Sequence, residues 1–479
     1  MIRKAIYFVL LLFVLVDLGY SFIQHYGAPL DGDIAANIVP QKDMGLVLES
    51  PLGLNAIINQ EKYPNPNRFF CHWSFQAFLI NTPLFFQKYV DPIDSIYLSC
   101  AVAKTFIQLC LIFLISIAIT GTANILRMDF VVASALVTPF FQTFGYSRYM
   151  GIIDPSITYT FFYALPSALL ILYFLPLINQ KYHGIRMQST WVILILWIPL
   201  GLVCSLSGPL NTGVVLVVAC ITLIWNTRAS FLQSRENGII NRVIMALKNI
   251  PSNYWLYLAP ISLCSIYSLY LGQYNSNNDL SPISLSELYF RLPQGLYYQI
   301  TQKLGFPILL ATLVINIIII SRTYSNSDGK KIIEVLKWIG LFAIVYIILL
   351  PLGGYREYRF NTLRYDSIMP ITLMLFFAFG ITTIFILKII SKTYRILYYP
   401  LILAVIFIFT YADEPNFEHN SCERAALEEI SKSPSSVVRV SGNCSILSWY
   451  VISEPEDSDI KAELLHKWNV TKNKKLYYH

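Results

Sequence analysis

Eleven apolar runs, each close to the length that crosses a bilayer, set what this chain can fold into. The first opens it, "MIRKAIYFVLLLFVLVDLGYSFIQ", and the others cover approximately 96–120, 128–146, 156–177, 190–206, 211–226, 253–272, 304–321, 333–351, 366–388 and 396–411. A helix needs roughly 20 apolar residues to cross the hydrocarbon layer. The expected fold is an all-α polytopic membrane protein with about eleven transmembrane helices. Composition agrees, with 55% hydrophobic and 13% charged residues, against about 25% charged in an average soluble domain. The formal charge of +7 does not indicate a nucleic-acid partner, because the Lys and Arg residues lie in short clusters between apolar runs, as topology signals do.

Arg3 and Lys4 precede the first run, and no small-x-small cleavage site follows it. The segment therefore reads as an uncleaved helix with its N-terminus in the cytoplasm. Odd parity then puts the C-terminus outside. The charge distribution supports this orientation: the implied inner segments carry sixteen Lys and Arg, and the short outer loops carry six, Arg148, Arg291, Lys303, Arg356, Arg359 and Arg364. Long translocated segments, here 24–95 and 412–479, escape that rule. Within the first of them, 69–88 is apolar but interrupted by His72, Gln76, Asn81, Pro83 and Gln87. It is expected to lie at the outer interface.

Two units follow: a membrane domain over 1–411, with 24–95 as its first outer loop, and a small extracytoplasmic α/β domain over 412–479. Five cysteines fall within spans, where they read as packing residues. Cys422 and Cys444, in the C-terminal domain, are either a disulfide of an oxidising compartment or two buried thiols. The inner side shows no P-loop, GxGxxG or Cys/His metal spacing, and its longest loop, "TRASFLQSRENGIINRVIMALKNIPSN", reads as a basic helix on anionic lipid.

Candidate chemistry is concentrated in three outer loops: "PLDGDIAANIVPQKD", "GYSRYMGIIDPSITY" and "PLGGYREYRFNTLRYDSIMP". Asp31 and Asp33 form a turn sequence in which Asp33 is placed to cap a helix starting "IAANIV". Read functionally, they are a carboxylate pair able to accept a proton from a substrate hydroxyl or to hold a divalent cation. The competing use of Asp33 as a cap favours Asp31 as the base. Asp154, before Pro155, supplies a third carboxylate or caps the next helix. Arg356, Arg359 and Arg364 suit phosphate oxygens, or pair with Glu357, Asp366 or lipid headgroups. Tyr355, Tyr358 and Tyr365 are belt residues or help to hold a diphosphate. Lys104, about two turns inside a span, either snorkels toward Asp94 or an outer phosphate or meets substrate directly. Arg68, His72 and Trp73 supply interfacial anchors or a sugar platform.

An uncleaved first helix, an acidic motif opening a long first outer loop, a second acidic position between the third and fourth helices, and a late outer "RYDSIMP" entering a helix resemble the GT-C membrane glycosyltransferases. That resemblance implies a sugar transferred from a polyprenyl-phosphate donor to a glycan, lipid or protein acceptor on the extracytoplasmic face. By position, Asp31 or Asp33 takes the role of base or metal-linked acid, and Asp154 assists. Arg356, Arg359, Arg364, Tyr365 and Lys104 bind phosphate. "DGD" departs from the family's Asp-Glu pair, and the single acid of the second loop leaves the cofactor as either none or a divalent metal ion. The rival readings are an O-antigen-type polymerase or ligase and a lipid-linked oligosaccharide transporter. The short inner loops incline toward a bacterial inner membrane with a periplasmic C-terminus.

Overall fold

The computed structural model describes residues 2–40, 42–144, 146, 150, 152–185, 191–234, 238–278, 283–323, 327–353 and 360–479. The chain is an integral membrane protein of mostly helical build. Among the described residues nine helices are long and apolar enough to cross a membrane: Arg3–Tyr26, Pro92–Thr120, Ile157–His183, Pro209–Gln233, Ser252–Tyr274, Gly305–Thr323, Ser327–Gly353, Met369–Ile389 and Tyr394–Tyr411. The two remaining runs of the sequence form shorter apolar helices, Met128–Phe141 and Leu194–Ser205. The first of these stops early for a local reason. Pro139 has no N–H to donate, the last turn tightens into a 3-10 helix over Thr138–Phe141, and Gln142 leaves in an extended conformation.

Pro92–Thr120 and Met369–Ile389 are the most enclosed spans. The first begins at a well-made cap, with the Asp91 carboxylate accepting from the N–H groups of Ile93 and Asp94, both at 3.0 Å, and Pro92 at the first helical position. Phe140 packs at the centre of an aromatic cluster, 4.8 Å from Phe376, 5.2 Å from Phe379 and 4.7 Å from Phe409. The first loop holds short helices at Ile34–Ile38, Lys42–Glu49 and Leu54–Ile58 and the longer Phe69–Phe86, which contains Pro83 and is not among the nine spans.

Residues beyond the last span form a small α/β unit. Two helices, Ser421–Lys432 and Asp459–Lys467, flank a two-stranded parallel sheet in which Val438 of Val437–Arg439 pairs with Tyr477 of Leu476–Tyr478. Cys422 and Cys444 are joined in a disulfide with a Cα–Cα distance of 6.2 Å. The unit is seated on the start of the first loop. Buried Glu423 accepts hydrogen bonds from the Leu30 N–H at 2.9 Å, the Tyr97 hydroxyl at 2.9 Å and the Leu447 N–H at 3.2 Å. The Asn420 side chain donates to the Tyr26 carbonyl at 2.8 Å, and the Trp468 indole donates to the Leu79 carbonyl at 2.8 Å. Arg424 pairs with Asp94 and lies over the rings of Tyr97 and Tyr26, 4.0 and 4.7 Å from their centroids.

Burial pushes the Glu423 carboxyl up from 4.5 to about 7, against three donors that favour its charged form. A carboxyl raised in the native state stabilises the fold fully below its unfolded value, and that contribution is lost as the pH rises through the native value. Seating of the C-terminal unit should therefore weaken between about pH 4.5 and about pH 7, read as rising protease sensitivity of residues 412–479. Glu423→Ala should abolish this pH dependence and destabilise the seat by about 2–4 kcal/mol, because three donors lose their acceptor.

Candidate active site

The start of the first loop and the start of the fourth apolar run, here the span Ile157–His183, are tied through one carboxylate. Asp31 is 4% exposed. Its Oδ2 accepts from the Ser156 hydroxyl at 2.7 Å and the Thr158 N–H at 3.0 Å, and its Oδ1 accepts from the Thr158 hydroxyl at 2.8 Å and the Asp33 N–H at 3.0 Å. An ionised carboxylate has about four lone-pair sites, so Asp31 is saturated by four donors. It lies on the N-terminus of the helix, where the partial positive charge of the exposed N–H groups favours an anion.

The local sequence "DPSIT" accounts for the receiving end. Ser156 is the N-cap, its hydroxyl accepting from the Tyr159 N–H at 3.3 Å while donating to Asp31. Asp154 turns back so that its Oδ1 accepts from the Ser156 N–H at 2.8 Å, an Asx-type turn rather than the cap itself. The helix then widens into a π-helical turn at Thr160–Ala164, which stacks Tyr159 on Tyr163 with ring centroids 5.6 Å apart.

The hydroxyl of Tyr365, from the third loop, lies close to Asp154. Burial raises its carboxyl above the ordinary range, opposed by the Ser156 N–H, by Lys104 and by Tyr365, while the charge of Asp31 adds to the rise. Burial likewise pushes the Tyr365 phenol well up, helped by the charges of Asp154 and Asp366. Lys104 is 1% exposed and donates to the Pro155 carbonyl, which sets its ammonium near both Asp154 and Asp31. It does not snorkel to Asp94, whose carboxylate is taken by Arg424 and by the Tyr26 hydroxyl at 2.8 Å. Arg364 pairs with buried Asp366 at 3.0 Å and lies beside the Tyr365 ring. Arg356 and Arg359 lie outside the described residues, as do Tyr355, Glu357 and Tyr358.

Asp33 behaves differently from the sequence expectation. It stands at the N-cap of Ile34–Ile38 but makes no side-chain cap bond. Its carboxylate is partly exposed and accepts from the Trp449 indole N–H at 3.1 Å. Trp449 belongs to the C-terminal unit and was not among the sequence candidates. Gly32 between the two acids is needed for this approach, since a Cβ there would lie 2.5 Å from the Trp449 backbone nitrogen. The structure thus brings together Asp31, Asp33, Asp154, Lys104, Arg364 and Tyr365 near one end of the bundle. His72 instead packs edge-on against Phe162 at 4.8 Å, and Arg68 lies against Gly208.

The saturated lone pairs of Asp31 offer a metal ion no open position, so an Asp31/Asp33 metal pair does not fit this arrangement. Among the described residues no group of three or more His, Cys, Asp or Glu side chains is arranged to hold a metal. Comparison with protein-family models, with curated proteins and with solved structures gives no match for this chain.

The two loop acids should separate by stability. Asp31→Asn sets an amide N–H₂ against donors and should destabilise the purified protein by about 2–4 kcal/mol. Asp33→Asn should stay within about 1 kcal/mol, since one partly exposed acceptor oxygen can still serve Trp449. Thermal unfolding of both variants in detergent, followed by tryptophan fluorescence, measures the difference.

Proposed function

We propose that this protein is an integral-membrane glycosyltransferase of GT-C type, which moves a sugar from a polyprenyl-phosphate donor to a glycan, lipid or protein acceptor at the loop end of the bundle. The observation that carries this reading is the meeting of carboxylates from the first two loops with a tyrosine and an arginine from the third. Such a transfer needs a base for the acceptor hydroxyl and a polar cradle for the departing phosphate.

Asp33 is the base in this reading. A base needs a lone pair within reach of the acceptor, and the oxygens of Asp31 are committed to four donors. Asp33 takes the proton of the acceptor hydroxyl as that oxygen bonds to the anomeric carbon. The bond from that carbon to the phosphate oxygen breaks, and the polyprenyl phosphate leaves with the electron pair. Arg364, with Arg356 and Arg359 from the same loop, meets the charge that develops on it. Asp154 and Lys104 hold Tyr365 and the loop junction in place. The fuller expectations of eleven crossings, interfacial helices in the first loop, and an inner membrane with the loop end facing the periplasm belong to the same proposal. They are supported by the excess of Lys and Arg in the segments at the opposite end.

Purified protein incubated with a panel of radiolabelled polyprenyl-phosphate sugars and membrane extract should label one class of acceptor. Asp33→Asn should lower that transfer by about 10²–10⁴-fold without lowering Tm. Full transfer by this variant removes Asp33 as base, and no transfer from any donor by the wild-type protein removes the reading. Arg364→Ala should weaken donor binding by about 10–100-fold, the loss of one charge-assisted contact. Unchanged donor affinity in equilibrium binding would remove it from the cradle.

A further inference from the structure

The C-terminal unit turns a large aromatic side chain outward beside Asp33. Residues 446–452 lie outside helix and strand, yet the ends of this segment are fixed. Ile446, Leu447 and Ile452 are fully buried, and the Tyr477 hydroxyl donates to the Ile446 carbonyl at 2.9 Å. Leu447 takes a φ of 48°, in the left-handed region that a branched side chain rarely adopts. Its buried side chain holds it there, together with its N–H, which donates to Glu423 at 3.2 Å. From this stem Trp449 stands 56% exposed.

Trp449 is exposed but pinned. Its indole N–H donates to the Asp33 carboxylate at 3.1 Å, and a Cβ on Gly32 would come within 2.5 Å of its Cδ1, so the five-membered ring lies on Gly32. The Tyr159 ring, from the start of the span Ile157–His183, lies 6.5 Å from it at an inclination of 56°, and Tyr163 stacks on Tyr159. Rings from the membrane domain and from the C-terminal unit therefore adjoin at an angle next to one carboxylate. A rigid aromatic side chain binds with little loss of conformational freedom. Its face takes C–H groups, while a carboxylate accepts hydroxyls. A pyranose offers both, with C–H groups on its faces and hydroxyls around its rim.

Anchoring in lipid headgroups is the ordinary use of an interfacial tryptophan. Here the indole N–H is spent on an acid, and an acid is repelled by an anionic bilayer surface. Peptide recognition relies on a sheet edge, a groove or a charge cluster, whereas what adjoins Asp33 is ring surface. We propose that Trp449 and Tyr159 form the platform on which a neutral saccharide acceptor is laid, with the hydroxyl to be glycosylated directed at Asp33. The proposal rests on the transferase reading above and narrows its acceptor to a glycan. A uronate is disfavoured, since its carboxylate would face that of Asp33. The C-terminal unit then supplies acceptor recognition as well as cover.

Binding is tested without donor, so that the result does not depend on transfer. The full chain, purified in detergent and fluorescently labelled, is applied to an array of immobilised neutral and uronate-containing oligosaccharides. It should bind a subset of the neutral ones, and Trp449→Ala should weaken that binding at least about tenfold. Trp449→Leu, which keeps apolar bulk without a ring, should lose as much, and it decides the matter should the alanine variant fail to fold. In liposomes of brominated lipid, the fluorescence that Trp449→Phe lacks should belong to the part of the wild-type signal left unquenched. No glycan bound by the wild-type protein, or undiminished binding by Trp449→Leu, would overturn the platform, and quenching of the Trp449 signal by lipid would assign the ring to anchoring. Transfer to a protein or lipid with no glycan bound removes the platform and keeps the transferase. Glycan binding that needs Trp449, without transfer from any donor, does the reverse.

Discussion

The Asp31 carboxylate is the point on which the loop end of the bundle depends. It is an anion almost wholly removed from water, which is tolerated only because four donors from Asp33, Ser156 and Thr158 converge on it at the N-terminus of a membrane helix. Those donors fix the distance between the first loop and the second, and with it the position of Asp154. The third loop comes to the same junction, where the Tyr365 hydroxyl lies close to Asp154. Three segments that are separate in sequence are thus held by a few polar contacts in a low-dielectric setting, where each is strong when satisfied and destabilising when broken.

A second layer of support comes from the C-terminal unit. Glu423 accepts from the Leu30 N–H immediately before Asp31, and Trp449 reaches over Gly32 to Asp33. The loop is therefore bracketed on one side by helix N-terminal donors and on the other by the disulfide-stapled C-terminal unit. This division explains why two acids so close in sequence have such different surroundings. Asp31 is turned toward the membrane helices and saturated, and Asp33 is turned toward the C-terminal unit and half-buried.

Much of the architecture was legible because a bilayer imposes a length on apolar runs that few other folds mimic. Where local chemistry intervened, length misled: Pro139 ends the helix at Phe141, and the chain leaves it extended at Gln142, short of the 146 at which the run ends in sequence. The outer-loop acids were legible as a group because charged residues are rare in this chain. Their roles were not, because three of the four donors that saturate Asp31 come from residues 125 and 127 positions away, and the indole that contacts Asp33 from 416 away. The Cys422–Cys444 bridge was one of two readings that spacing alone left open, and the two sulfurs are bonded in the structure.

The contact between Glu423 and Leu30 joins residues 393 positions apart. At ribosomal speeds of about 5–20 residues per second, the first loop is made roughly 20–80 s before its partner exists. During that interval Leu30 lacks its acceptor and Asp33 its indole, while every intervening helix is being inserted. Seating of the C-terminal unit on the first loop is therefore among the last events in the making of the molecule, and a ribosome that stalls between Tyr411 and Glu423 leaves behind an inserted bundle whose first loop lacks that cover.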